Sequence, residues 1–313
     1  MPVHEVLTMG RIGVDLYPEQ ASVPLGEVRT FAKFLGGSPS NVAVAAARYG
    51  RRAAVITRVG ADPFGEYLRV ALRGFGVDDS FVGTVAGLPT PVTFCEIFPP
   101  DHFPLYFYRY PKAPDLMIFP SELDHGAIRA AAVFWVTGTG LSAEPSREAT
   151  LTALRRRDRS GITVVDLDWR PMFWTENPRP WYAEALRHAT VAVGNLDEVE
   201  IAVGTRDPER AAAALLDHGV ELAVIKQGPG GVRAYTRGAT AYAQALEVKV
   251  VNGLGAGDAF GGALCHGLLS GWDLPETIRF ANAAGALVAS RLACADAMPT
   301  EPEVRDLIRA GHG

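Results

Sequence analysis

The sequence predicts an α/β fold, a mostly parallel sheet with helices on both faces and a small piece of β structure set apart. Three observations carry that expectation. Short apolar runs alternate with helical patterns along most of the chain, as in a parallel sheet with helical crossovers. Residues 91–109 break this rhythm with two strand-like runs and no helix between them. Towards the C-terminus, Val250 to Leu264 is a glycine-dense loop running straight into an apolar helix.

The 313-residue chain is 48% apolar, ample for the core of one large domain. Lys plus Arg is 30 against 35 Asp plus Glu, a net charge of −5. That gives no general attraction to nucleic acid or an anionic membrane, so a phosphate ligand must be held by local features. Cys95, Cys265 and Cys294 are odd in number, far apart and without a Cys-x-x-Cys pair, which predicts free thiols rather than a disulfide framework or zinc site. With no signal-peptide pattern and no long apolar run, a cytoplasmic protein is expected.

Taken in order, Glu5 to Gly10 reads as a first buried strand, and Arg11 to Leu16 as its continuation, bringing Asp15 to an exposed strand end. Gly10 and Gly13 lack the G-x-G-x-x-G spacing of a dinucleotide fingerprint, and no helix follows. Phe34 to Gly50 is a paired-glycine turn, Gly36-Gly37, feeding an alanine-rich helix. Ser40 and Asn41 stand at its entrance, where they can cap the helix or meet a ligand. A strand over 53–59, a helix over 65–75 and a strand over 80–85 come next.

Beyond the 91–109 excursion, whose aromatic run ends on Arg109, residues 131–138 read as a buried strand. Residues 144–157 read as a helix whose arginine-rich end suits its dipole. Thr163 to Pro171 places Asp166 and Asp168 at the C-terminal edge of a strand, where open α/β sheets bind ligands, with Arg170 just beyond. Val191 to Val199 is a strand ending in Asn195-x-x-Glu198, the spacing of a helix cap with its capping box. Leu222 to Val232 carries Lys226 into a glycine-rich turn, which is either an ordinary hairpin or a loop whose Gly228 and Gly230 N–H groups meet phosphate. A long helix over 275–292 carries Asn282 among small residues that mark close packing.

In the central loop, three glycines and one alanine within residues 252–257 let the backbone approach a ligand and turn its N–H groups to a common point. The helix that follows, from about Ala259, sets them at the positive end of its dipole, where a phosphoryl group is favoured. Asp258 is the anomaly. A carboxylate there repels an anion unless it accepts a proton from an attacking hydroxyl, although capping is its other use.

Gly255-Ala256-Gly257-Asp258 opening an apolar helix resembles the second signature of the ribokinase-like (PfkB) carbohydrate kinases, and Gly36 to Asn41 matches the first. The likeness covers nearly the whole chain. It implies a ribokinase-like three-layer α/β/α fold in a single domain, 1–313, with a small β lid formed by approximately 12–34 and 90–112. It implies ATP-dependent phosphorylation of a sugar hydroxyl, with Asp258 as base and the backbone of Gly255, Ala256 and Gly257 as anion hole. Asp15, Gly36, Gly37 and Asn41 would bind the sugar. Asn195, Lys226, Gly228, Gly230 and Asn282 would serve the nucleotide, and Glu198 would organise Mg2+ through water.

Arg109 and Arg170 would meet an acidic group, so the implied acceptor is a sugar acid, with Tyr106 or Tyr108 packing on Arg109. Where many relatives carry Asp-Thr before the second signature, this chain has Asn252-Gly253, which leaves a monovalent-cation requirement open. The family also suggests a homodimer through the lid. No Walker loop and no protein-kinase motif set is present, which excludes those kinase classes. The reading from another class is a sugar- or nucleotide-binding regulator without turnover. Such a protein can dispense with Asp258.

Overall fold

The computed structural model describes residues 4–311. From the N-terminus run β1 (Val6–Met9), β2 (Gly13–Pro18), β3 (Phe31–Gly36), α1 (Ser38–Arg48), β4 (Ala53–Gly60), α2 (Pro63–Gly74), β5 (Val77–Asp78), β6 (Val82–Val85), β7 (Val92–Cys95) and β8 (Leu105–Tyr108). Then come α3 (His125–Ala130), β9 (Val133–Thr137), α4 (Ser146–Arg157), β10 (Ile162–Asp166), α5 (Arg179–Leu186), β11 (Val191–Asn195), α6 (Leu196–Val203) and α7 (Pro208–Asp217). The chain closes with β12 (Leu222–Lys226), β13 (Val232–Tyr235), β14 (Thr240–Ala243), α8 (Ala256–Ser270), α9 (Leu274–Ala289) and α10 (Glu301–Ala310).

The large sheet has the order β14-β13-β12-β11-β10-β9-β1-β4-β5, with β6 also on β4. Its strands from β12 to β5 are parallel, and β13 and β14 extend one edge antiparallel. Side chains alternate between two cores, which is why the strands read as nearly continuous apolar runs. In β9, Val133 and Trp135 face one core while Phe134 and Val136 face the other, and Leu222 and Val224 of β12 oppose Ala223 and Ile225 in the same way. The first core is closed by Val42 of α1, Ala263 of α8 and Ile278 of α9, and the second by Leu154 of α4, Leu186 of α5 and Leu215 of α7. The result is the three-layer α/β/α arrangement.

A separate small sheet has the order β3-β2-β7-β8. Its inner residues Tyr17 and Cys95, with Ile97 just beyond β7, form a cluster with Cys294, which ties the sheet to the C-terminal part of the chain.

One expectation about β1 fails. Arg11 to Leu16 does not prolong it, because Gly10 adopts a φ of +139° and turns the chain out of the large sheet into the small one. Asp15 therefore lies on β2 and is 8% exposed, not at an open strand end. No helix among the described residues is long and apolar enough to cross a membrane.

Candidate active site

Parallel strands bring their C-terminal ends to one edge, and here β10, β11 and β12 end on Asp166, Asn195 and Lys226, with Asn195 and Lys226 in register. The N-termini of α1 and α8 meet beside that edge. Asn41 Nδ2 donates to Asp258 Oδ2 at 2.8 Å, joining the two glycine-rich motifs that stand 217 residues apart. Asn41 is 3% exposed, and its Oδ1 is buried without a partner. A buried amide oxygen left unpaired is suited to a ligand hydroxyl.

Asp258 is half-buried in the first turn of α8. Burial raises its pKa above the ordinary carboxylate value; hydrogen bonds from Asn41 and Ser38 oppose the rise, and the neighbouring Asp168 adds to it. A carboxylate tuned upward is a stronger base towards a hydroxyl. Gly255 caps the helix in the left-handed region at φ +80°, and a Cβ there would lie 2.6 Å from Cys294 Sγ. Only glycine fits on both counts. A Cβ on Gly257 would come 3.4 Å from Lys226 Nζ, so the ammonium stands beside the loop. Burial pulls the Lys226 pKa down, but Glu198, Asp166, Asp258 and Asp168 outweigh it and the net shift is upward. Asp166 is pushed well above the carboxylate range by burial, against the pull of Lys226.

Asn195 and Glu198 form the capping box that their spacing allows. Asn195 Oδ1 accepts from the N–H groups of Asp197 and Glu198, each at 2.9 Å, and Glu198 Oε2 accepts from the Asn195 N–H at 2.7 Å. Among the described residues no group of three His, Cys, Asp or Glu side chains is placed to hold a metal ion by itself. Glu198 and Asp166 offer oxygens only, a donor set that suits a hydrated Mg2+ shared with phosphate rather than a protein cage.

On the opposite side lies Asp15. Tyr17 OH donates to Asp15 Oδ2 at 3.1 Å and is hydrogen-bonded to Cys294 Sγ at 2.8 Å. Burial pushes the Asp15 pKa up to about 6, Arg11 and Tyr17 pull the other way, and Asp258 adds to the rise. A Cβ on Gly36 would fall 2.2 Å from the Asp15 carboxylate, and Gly37, at φ +105°, passes over the Arg11 carbonyl. The paired glycines thus make room for the acid and for the turn into α1.

The two arginines singled out from the sequence are both engaged. Arg109 Nη2 donates to Asp115 Oδ2 at 2.6 Å, and Arg170 Nε lies 3.2 Å from Asp168 Oδ1. Arg109 lies over the Phe173 ring, 5.0 Å from its centroid, and not on Tyr106 or Tyr108. The period of β8 explains the correction: Phe107 and Arg109 share a face, whereas Tyr106 and Tyr108 point to solvent. Arg11 is the residue the sequence reading misses. It is 8% exposed, lies 5.4 Å from the Phe107 ring centroid, and is electrostatically coupled to Asp168, Arg109, Arg170 and Asp15.

The remaining candidates stand outside this group. Gly228 and Gly230 occupy the exposed turn of the β12–β13 hairpin. Asn282 Nδ2 donates to the Gln244 carbonyl at 2.7 Å, and a Cβ on Gly285 would meet the Ala256 carbonyl at 3.0 Å, so the small residues of α9 serve its packing on the start of α8. Asn252 is fully buried; it donates to the Leu292 carbonyl and accepts from the Leu254 N–H, bracing the loop with both ends of its amide. All three cysteines are free and buried.

The chain is similar to known proteins over its full span. The model of the pfkB family carbohydrate kinase matches residues 3–301. The 5-dehydro-2-deoxygluconokinase of Listeria monocytogenes serotype 4b is 35% identical over 312 residues, covering 97% of this chain and 95% of the relative. That of Shouchella clausii is 34% identical over 315 residues, covering 98% and 96%. Among solved structures, a fructokinase with bound ATP from Xylella fastidiosa superposes with a TM-score of 0.87 at 26% identity, over 99% of this chain and 100% of the other. A 2-dehydro-3-deoxygluconokinase from Thermotoga maritima gives a TM-score of 0.88 at 21% identity, over 97% and 99%. Both glycine-rich motifs, the sheet edge between them and the small sheet lie inside these matches, and the chain accordingly belongs to the pfkB family of carbohydrate kinases.

Proposed function

We propose that this sugar kinase transfers the γ-phosphoryl group of ATP to a hydroxyl of 5-dehydro-2-deoxygluconate, in the breakdown of inositol. The names of its curated relatives support that acceptor, and the bound ATP of the fructokinase neighbour supports the donor. The observation that carries the substrate class is the gathering of Arg11, Arg109 and Arg170 near Asp15 with a close carboxylate partner for only two of the three, since a guanidinium left without an ion pair favours an acid over a neutral sugar. The isomeric 2-dehydro-3-deoxygluconate makes the same demand, whereas ribose or fructose does not.

In this reading Asp15 and Asn41 hold sugar hydroxyls, and Gly36 and Gly37 let the backbone close around them. Asp258 removes the proton of the attacking hydroxyl as its oxygen bonds to the γ-phosphorus and the bond to ADP breaks. The N–H groups of Gly255, Ala256 and Gly257 and the Lys226 ammonium stabilise charge on the moving phosphoryl group. Glu198 would hold the waters of a Mg2+ bound with ATP, which would supply charge neutralisation there. Gly228, Gly230, Asn195 and Asn282 belong to the nucleotide side of the proposal. The small sheet acts as a lid on a single domain, excluding water as a competing acceptor. Its β8 edge, where Tyr106, Tyr108 and Tyr110 are exposed, is where a second copy of the chain would dock.

ADP release measured over a panel of sugar acids and neutral sugars tests this. The expected outcome is turnover with a clear preference for keto-deoxy acids, and a fall in kcat of about 10²–10⁴-fold in Asp258→Asn with no loss of thermal stability. Turnover without acid preference would remove the substrate assignment. Tight sugar or nucleotide binding with no ADP formation by the wild type would make the protein a regulator instead.

A further inference from the structure

Three guanidinium groups lie close together at the sugar end of the site, and two of them are neutralised by the protein itself. Arg109 is paired with Asp115 at 2.6 Å, the two side chains being 10% and 4% exposed. Arg170 is paired with Asp168 at 3.2 Å. Arg11 is different. It is 8% exposed, its Nε, like that of Arg170, is buried without a hydrogen-bond partner, and among the described residues its guanidinium forms neither a close ion pair nor a hydrogen bond. A guanidinium keeps its charge under all ordinary conditions, and a buried charge with no hydrogen bond and only longer-range attraction, here from Asp168 and Asp15, is among the costlier features a fold can carry. The face of Phe107 offsets part of that cost, yet it satisfies none of the N–H donors.

The backbone of Arg11 is also fixed at a meaningful place. Its carbonyl accepts from Ser40 Oγ at 3.4 Å, and a Cβ on Gly37 would come within 2.4 Å of that oxygen. The residue is therefore clamped under the entrance of α1, between Asp15 four residues on and Asn41, the pair proposed to hold the sugar hydroxyls. We propose that Arg11 grips the carboxylate of the acceptor directly, while Arg109 and Arg170, held by Asp115 and Asp168, shape the positive surroundings. The planar fork of a guanidinium matches a carboxylate through two parallel hydrogen bonds, the pairing that Arg11 lacks in the free protein. This assignment rests on the sugar-acid reading given above and goes beyond it by naming the residue that sets the specificity.

The test compares two acceptors that differ only at one end: 5-dehydro-2-deoxygluconate and the neutral keto sugar with a primary alcohol in place of the carboxylate. Arg11→Gln is expected to lower kcat/KM for the acid by about 100-fold, chiefly through KM, as expected for a lost charged hydrogen-bonded pair. The neutral sugar should change by less than about threefold, because its contacts are uniform in the two enzymes. Arg11→Lys keeps the charge without the fork and should fall between wild type and Arg11→Gln for the acid alone; it also serves as the probe if the glutamine variant folds poorly. Arg109→Gln, which strands Asp115, should lower both acceptors alike. Equal losses for both acceptors in Arg11→Gln, or an unchanged acid-to-neutral ratio, would overturn the assignment of Arg11 while leaving the sugar-acid reading intact. A wild type with no preference for the acid removes both.

Discussion

At the scale of single residues, Asp15 sets stability against chemistry. Its folded-state pKa of about 6 lies above the ordinary 3.8 because burial disfavours the carboxylate. Folding thus favours the protonated form: the contribution to stability is fully present below pH 4 and is lost as pH rises from about 4 through 6. Above that the buried charge costs about 3 kcal/mol. Asp15→Asn should raise the melting temperature at pH 8 by several degrees and leave it nearly unchanged at pH 4, while sugar affinity drops, which thermal melts at the two pH values and KM measurements check. The wild-type kcat/KM for sugar should fall as pH drops below about 6, when Asp15 takes up its proton. The acid itself is singled out in the sequence as a candidate ligand-binding residue through its family motif, but its burial is not. The pattern from Glu5 to Leu16 carries no sign that Gly10 sends the chain to another sheet. Arg11 is illegible for a related reason: what marks it is the absence of a partner, a property of three-dimensional neighbours and not of spacing.

At the scale of elements, the start of α8 carries the proposed phosphate end of the site. Glycine density followed by an apolar run is a signal that survives without any structure, so the loop and its helix are plain in the sequence. The boundary is not. Propensity puts the helix start near Ala259, because Gly-Ala-Gly disfavours helix, whereas the left-handed cap at Gly255 begins it at Ala256. The cap fixes the direction of the N–H groups, and a methyl group at Gly255 would need both a strained φ and the space held by Cys294. Gly255→Ala should cost about 1–3 kcal/mol of stability and lower kcat more than tenfold by tilting those N–H groups, read by melting and steady-state kinetics. Asn195 and Glu198 show the limit of motif spacing at this scale. Three residues apart, they satisfy a capping box whether or not they also serve a metal.

For the whole molecule, the layers follow from alternating apolar runs and the small sheet from the one place where the alternation stops. What the sequence does not show is where that small sheet touches the rest. Phe103, in the loop between β7 and β8, lies against Gly253, so that a Cβ there would meet its ring at 2.9 Å. The lid reading therefore makes Phe103 a seal over the phosphate loop. Phe103→Ala should raise ATP hydrolysis in the absence of sugar while lowering the yield of sugar phosphate per ADP, a ratio that coupled assays measure directly.

The contact of Tyr17 with Cys294 links the two ends of the site. A hydroxyl has one proton to give; since Tyr17 gives it to Asp15, the thiol must donate to the phenol oxygen. The same sulfur underlies Gly255. In the proposed reading the acceptor and donor ends of the site therefore share Cys294 as a common contact. Crosstalk between the two substrates would then need no remote effector site, and whatever assistance a seated acceptor lends to nucleotide binding, the nucleotide must return in equal measure.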